Sequence, residues 1–121
     1  MKWLEFIEAP LFTELLAKYL PDDAYRALQV HLARDPQAGS LIPGTGGFRK
    51  LRWVDPRRAR GKRGGLRVVY YHLVGDDQIW LMTVYGKGEV DDLRPDEKRA
   101  LKAAIEFELQ RRATLRRVKD T

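Results

Sequence analysis

The fold is decided by the stretch LRVVYYHLVGDDQIWLMTVY, which runs from Leu66 to Tyr85. β-branched and aromatic residues dominate both of its halves, and such residues favour strands. A Gly-Asp-Asp sequence at 75–77 separates the halves and supplies residues that are typical of turns. We therefore predict one strand over 66–74, a turn, and a second strand over 78–85.

Helices are predicted on both sides of this hairpin. Apolar residues recur at helical spacing over 10–20 and 21–35, and each of these helices begins beside a proline. A short strand is expected over 2–8, another over 48–54, and a final helix from Pro95 whose basic end frays. The sequence thus predicts an α+β fold, in which an antiparallel sheet of about four strands packs against an N-terminal helical hairpin and a C-terminal helix.

Composition limits the class of protein. The chain has 121 residues, of which 44% are hydrophobic, and this favours a single domain over 1–121. Its mean hydropathy is −0.48 and no apolar run is long enough to span a bilayer. Because it has no cysteine and no signal-like N-terminus, we expect a cytoplasmic protein without disulfides, thiolate chemistry or membrane contact.

Positive charge is concentrated in one segment. Residues 49–67 contain nine basic side chains and one acid, so they carry a formal charge of +8 against +6 for the whole chain. Such a segment is an electrostatic footprint for a polyanion, most often nucleic acid. Phosphate contact is therefore the first function to consider.

Metal and nucleotide sites are disfavoured. His31 and His72 are isolated and lack the spacing of metal ligands, so we expect no metal and no cofactor. The glycine-rich run 44–47 precedes a strand instead of a helix, which favours a turn over a phosphate-binding loop.

The remaining candidates are basic and aromatic. Lys50 and Arg52 share one face of their strand, and Arg67 begins the neighbouring strand, while Tyr85 and Lys87 lie at the end of the next. One interpretation is a solvated sheet face whose charges prevent aggregation. The other is RNA cleavage without metal, in which a base takes the 2′-OH proton, an acid protonates the leaving 5′ oxygen, and cations stabilise the phosphorane.

Three runs of sequence resemble one known family. They are GTGGFRKLR at 44–52, GKRGGLRVVYY at 61–71 and LMTVYGKGE at 81–89. Together they are similar, in order and over nearly the whole chain, to HigB-like toxins of the RelE/ParE toxin superfamily. The resemblance implies a microbial-RNase-like fold and the toxin of a type II toxin–antitoxin system.

In that family the toxin is a ribosome-dependent mRNA endoribonuclease that cuts codons in the A site. The resemblance implies partners of three kinds: the 70S ribosome with mRNA, a cognate antitoxin of helix-turn-helix type, and operator DNA contacted only through the antitoxin complex. It also implies that four basic residues are catalytic: Lys50, Arg52, Arg67 and Lys87. We add Tyr85, at the end of the last strand, as a fifth catalytic candidate. We expect the rest of the basic segment to contact RNA or the ribosome: Arg49, Arg57, Arg58, Arg60, Lys62 and Arg63.

One departure from the family leaves the general acid open. RelE has a tyrosine near its C-terminus, whereas no tyrosine follows Tyr85 here. Tyr85, Lys87 or the ribosome itself are the alternatives. Because some relatives inhibit DNA gyrase instead of cutting RNA, a non-catalytic binding protein or an inactive remnant is the alternative function.

Overall fold

The computed structural model describes residues 4–57, 65–88 and 93–119. In chain order its elements are β1 (Glu5–Glu8), α1 (Pro10–Tyr19), α2 (Asp22–Arg34), β2 (Ser40–Leu41), β3 (Arg49–Trp53), β4 (Leu66–Leu73), a 3₁₀ turn (Val74–Asp76), β5 (Gln78–Gly86) and α3 (Pro95–Lys119). The predicted α+β class is confirmed. The helical run of α3 reaches Lys119, so the predicted fraying of its end is not seen.

The strands form one five-stranded sheet in the order β1-β5-β4-β3-β2. Pairings β2–β3, β3–β4 and β4–β5 are antiparallel, as predicted. The first strand differs, because β1 pairs in parallel with β5 and makes the sheet mixed. The strand that the sequence did not predict is β2, because its two residues are too few to produce a recognisable alternation.

By contacts the chain divides into two units, so the single domain over 1–121 stays a prediction. The first unit contains the sheet with α1 and α2. Its core lies between these two helices and one face of the sheet, and is built from Phe12, Leu28 and Leu32 on the helices and Leu51, Val68 and Val84 on the strands. Alternation along β3 and β4 therefore directs every second side chain into this core.

The Glu8 carboxylate connects β1 to both helices of the first unit. Glu8, at the end of β1, accepts hydrogen bonds from the hydroxyls of Thr13 and Tyr25, each at 2.7 Å. Burial, with the neighbouring Glu8 carboxylate, raises the pKa of Tyr25 above its ordinary value. The phenol is thus a stable donor that ties α2 to β1.

The second unit joins the segment 42–47 to α3. Ile105 is buried, and a Cβ added to Gly46 would lie 3.4 Å from its side chain, so the loop packs directly on the helix. The Thr45 hydroxyl donates to the Ile42 carbonyl oxygen at 2.7 Å and closes the loop. The glycine-rich run is therefore a turn, as the sequence favoured, and its packing on a helix was not predicted.

Candidate functional site: a row of cations across three strands

The candidate site lies on the face of the sheet opposite the core of the first unit. On β3, Leu51 enters that core, so its neighbours Lys50 and Arg52 belong to the other face. We call this second face the cation face. The prediction that Lys50 and Arg52 share a face is confirmed by the alternation of β3.

Register brings three of the predicted residues into one row. Arg52 on β3 pairs directly with Arg67 on β4, and Arg67 pairs directly with Tyr85 on β5. Directly paired residues of antiparallel strands have Cα atoms about 4.5–5.5 Å apart and present their side chains on the same face. Like charges in such a pair are destabilising, so the two arginines are suited to share an anion.

Arg67 is held at the bottom of this row. Arg67 is only 8% exposed, and its Nη1 donates a hydrogen bond to the Leu66 carbonyl oxygen at 3.3 Å. Arg52 is exposed by contrast. The row therefore contains one fixed guanidinium, that of Arg67, and one that is open to solvent, that of Arg52. Both can donate hydrogen bonds to the same phosphate.

Gly65 sets the place where β4 begins. It has φ of +37°, and an added Cβ would lie 2.9 Å from the Trp53 carbonyl oxygen. Only glycine allows this backbone to come so close to β3. In this register Leu66 lies opposite Trp53 and Arg67 lies opposite Arg52.

The two predicted lysines flank the row. Lys50 pairs with Val69 and precedes Arg52 by two residues on the same face of β3. Lys87 lies two residues beyond Tyr85, and its backbone N–H donates to the Gly65 carbonyl oxygen at 3.1 Å, which continues the ladder past the end of β5. Lys87 is exposed, whereas Tyr85 is 7% exposed.

Arg49 is separated from the row. It alternates with Lys50 and therefore belongs to the core side of β3. Its Nη1 donates to the carbonyl oxygens of Gly39 at 2.8 Å and Gln37 at 3.3 Å. The structure gives Arg49 a place in the scaffold, and its contact with RNA stays a prediction.

Arg57 is also engaged within the protein. Its Nε and Nη2 donate to the two carboxylate oxygens of Asp55 at 3.1 and 2.9 Å, and its guanidinium lies 4.6 Å from the ring centroid of Tyr19. The Asp55 side chain is 1% exposed. Four further predicted RNA-binding residues lie outside the described residues: Arg58, Arg60, Lys62 and Arg63.

The aromatic end of the cation face was predicted only for Tyr71, and Phe48 and Trp80 were not placed beside it. The Phe48 ring contacts Tyr71 edge-on at a centroid distance of 5.2 Å and Trp80 at 6.3 Å. The even spacing of Tyr71 from Arg67 in the sequence indicates that the two share a face of β4. Trp80 could not be placed, because a register shift between Val69 and Tyr70 decides which β5 residues share this face.

No group of three His, Cys, Asp or Glu side chains within residues 4–57, 65–88 and 93–119 is arranged to hold a metal ion. His31 is an exposed residue whose ring lies 5.3 Å from that of Trp53. Among the helices that the structure describes, none is both long and apolar enough to cross a membrane.

Comparison with known proteins identifies the fold. No family model matches the sequence. Among solved structures the chain is similar to the free state of the Escherichia coli toxin RelE, in a mutant with two arginines replaced by alanine. The fold is RelE-like. The similarity has a TM-score of 0.51 at 16% identity and covers 73% of this chain and 86% of the RelE chain.

Proposed function

We propose that this protein is a HigB-like toxin of a type II toxin–antitoxin system and acts as a ribosome-dependent mRNA endoribonuclease. The observation that carries the proposal is the row of Arg52, Arg67 and Tyr85, paired directly across three strands. A RelE-like fold with a solved neighbour named as a toxin supports it. The resemblance of the run 44–52 to HigB-like toxins supports the finer assignment.

In the proposed reaction the scissile phosphate of mRNA lies between Arg52 and Arg67. A base takes the proton of the adjacent ribose 2′-OH, and the oxygen forms a bond to phosphorus. The bond from phosphorus to the 5′ oxygen then breaks, and an acid gives that oxygen a proton. The products are a 2′,3′-cyclic phosphate and a 5′-hydroxyl, and no electron transfer or cofactor is needed.

Each cation has a role that follows from its position. Arg67, fixed at the bottom of the row, stabilises the charge that develops on the phosphorane oxygens, and preorganised donors of this kind are worth roughly 10²–10³ in rate. Arg52 grips the same phosphate from the exposed side. Lys50 is the candidate base, because it lies two residues from Arg52 on the same face of β3.

The general acid is Tyr85 or Lys87. Tyr85 lies directly opposite Arg67, whereas Lys87 lies two residues further along and is exposed. A phenol next to a phosphate-binding arginine is placed to donate a proton to the leaving oxygen. Tyr85 is therefore our first candidate.

The proposal includes the partners of such a toxin. The basic residues within 58–63 contact ribosomal RNA in the cytoplasm, and a cognate antitoxin of helix-turn-helix type neutralises the toxin by direct binding. Operator DNA is contacted only by the complex. Because each neutralised phosphate releases counterions, binding to ribosomes is expected to weaken steeply with salt.

The test is cleavage of a defined mRNA in a reconstituted translation system, with and without ribosomes. We expect cuts within codons that require ribosomes and fall by roughly 10²–10³-fold in Arg52→Ala and Arg67→Ala. Arg52→Ala is the decisive variant, because the exposed side chain can be removed with little effect on folding. Arg26→Ala, which removes an exposed arginine from α2, is the matched control.

Three results would contradict the proposal. Cleavage that does not require ribosomes would remove the ribosome-dependent part. Equal activity of Arg52→Ala and Arg26→Ala would remove the row from the reaction. Absence of cleavage in every condition, with inhibition of DNA gyrase supercoiling by the same preparation, would establish the binding-protein alternative.

A further inference from the structure

The edge of β3 next to Lys50 is covered by an unusually short strand. β2 has only two residues, and Ser40 pairs with Lys50 while Leu41 pairs with Arg49. Strands in folded proteins usually have three to ten residues, so this pair supplies little ladder to hold an edge in place. The segment 36–41, called the edge segment below, therefore needs other contacts.

Tyr70 supplies two of them from within the core. Its ring is fully buried, and its hydroxyl donates to the Pro36 carbonyl oxygen and accepts from the Gly39 N–H, both at 2.9 Å. Burial raises the pKa of Tyr70, so the phenol remains protonated and can donate. One hydroxyl thus satisfies a donor and an acceptor of the edge segment.

Arg49 supplies the other contacts. Its Nη1 reaches the Gly39 and Gln37 carbonyl oxygens at 2.8 and 3.3 Å. Hydrogen bonds from a charged donor are stronger than those between neutral groups. Arg49 and Tyr70 are also paired directly across β3 and β4, so both grip the edge segment from the same side.

Gly39 shows how closely the edge segment is pressed on Lys50. A Cβ added to Gly39 would lie 3.0 Å from the Lys50 carbonyl carbon and 3.0 Å from Tyr70 Cε1. The backbone of Lys50 is thus enclosed by Gly39 on the outer side and by its ladder to Val69 on the inner side. Loss of the hydrogen bonds from Tyr70 or Arg49 to the edge segment therefore leaves the Lys50 backbone free to move on its outer side.

We propose that Tyr70 and Arg49 are positioning residues that hold the Lys50 backbone, and hence its ammonium group, in place for the reaction. The inference rests on the proposed function and assigns Arg49 to this scaffold instead of to RNA. Reacting groups must be aligned closely, and a displacement of about 1 Å can cost up to roughly 10²-fold in rate. Neither side chain needs to touch RNA for this effect.

The test compares the buried phenol of Tyr70 with the partly buried phenol of Tyr25. Tyr70→Phe is expected to lower kcat for ribosome-dependent cleavage by roughly 10- to 100-fold and to leave KM for programmed ribosomes within about twofold. Tyr25→Phe is the matched control, because it also removes a hydroxyl hydrogen bond from the first unit, at 2.7 Å to Glu8. Unfolding in urea measures whether the two variants lose similar stability, and Tyr25→Phe is expected to keep its kcat.

Arg49 gives a second, independent readout. Arg49→Ala is expected to lower kcat while KM and the salt dependence of ribosome binding stay unchanged. Arg49→Lys is expected to recover part of kcat, because an ammonium can reach one of the two carbonyl oxygens. Arg52→Ala is the contrasting variant, since the loss of one phosphate contact lowers the slope of log K against log salt by about 0.7–0.9.

Several outcomes would overturn the inference. If Tyr70→Phe keeps its kcat, or loses no more than Tyr25→Phe, positioning is wrong although the proposed function stands. If Arg49→Ala raises KM and lowers the salt slope with kcat unchanged, Arg49 binds phosphate instead. A wild-type protein that cuts nothing overturns the proposed function and this inference together.

Discussion

The two faces of β3 carry cations of the same kind and use them differently. On the core side, Arg49 donates to two carbonyl oxygens of the edge segment and is committed to the scaffold. On the cation face, Arg52 is exposed and lies directly opposite Arg67. Neighbours along the chain are thus divided by the alternation of the strand, and charge alone does not show which arginines lie on the cation face.

The tyrosines of the neighbouring strands repeat this contrast. Tyr70, on the core side of β4, has its hydroxyl between Pro36 and Gly39. Tyr85, on the cation face of β5, lies opposite Arg67. The comparison predicts that substitutions on the cation face lower the rate of cleavage directly. Substitutions of side chains with internal contacts lower the rate only by displacing the reacting groups, or they lower the stability of the fold.

The largest effect is expected from the tyrosine of the cation face. Tyr85→Phe should lower kcat for mRNA cleavage by roughly 10²–10⁴-fold, because it removes the proposed general acid. Tyr71→Phe, which changes a phenol on the same face near the aromatic end, is the control. Full activity of Tyr85→Phe, with a loss of that size in Lys87→Met, would move the acid to Lys87.

An intermediate effect is expected from the clamp between Arg57 and Asp55. Arg57→Ala should lower the free energy of unfolding by about 1–3 kcal/mol, because it leaves the buried Asp55 carboxylate without its two-point partner. Urea unfolding measures this, and Arg26→Ala should change it by less than about 0.5 kcal/mol. Unchanged stability with a smaller salt slope for ribosome binding would return Arg57 to its predicted role in RNA contact.

The smallest effect concerns His72 on β4. Its Nδ1 is buried without a hydrogen-bond partner among the residues that the structure describes, and burial, followed by the nearby Arg49 charge, lowers its pKa. The unfolded chain therefore binds the proton more readily, and stability is lost as pH falls below the ordinary histidine pKa of about 6.5. Urea unfolding between about pH 7 and 5 should show a loss that is smaller in His72→Asn, and equal pH dependence in both proteins would contradict this.

Local patterns were sufficient for most of the fold. The strands predicted over 66–74 and 78–85 appear as Leu66–Leu73 and Gln78–Gly86, and the helix predicted over 10–20 as Pro10–Tyr19. Turn residues and side-chain periodicity are properties of neighbouring residues, so they can be read without the fold. The parallel pairing of β1 with β5 could not, because it joins segments more than seventy residues apart.

The site was predicted only in part for the same reason. The sequence placed Lys50 and Arg52 on one face, but the pairing of Arg52 with Arg67 depends on how β3 and β4 align with each other. A slip of one residue would have turned Arg67 to the core side. In the observed register the Gly65 backbone approaches Trp53 so closely that only glycine fits, and that approach is visible only in three dimensions.

The sequence by itself determined the elements, the concentration of positive charge in 49–67 and the shared face of Lys50 and Arg52. Tertiary structure alone decided that Arg52, Arg67 and Tyr85 form one row, and that Arg49 and Arg57 are engaged by carbonyl and carboxylate oxygens. The physical reason is range. Alternation and turn chemistry act between near neighbours, whereas register and the partners of a long side chain depend on segments that meet only when the chain has folded.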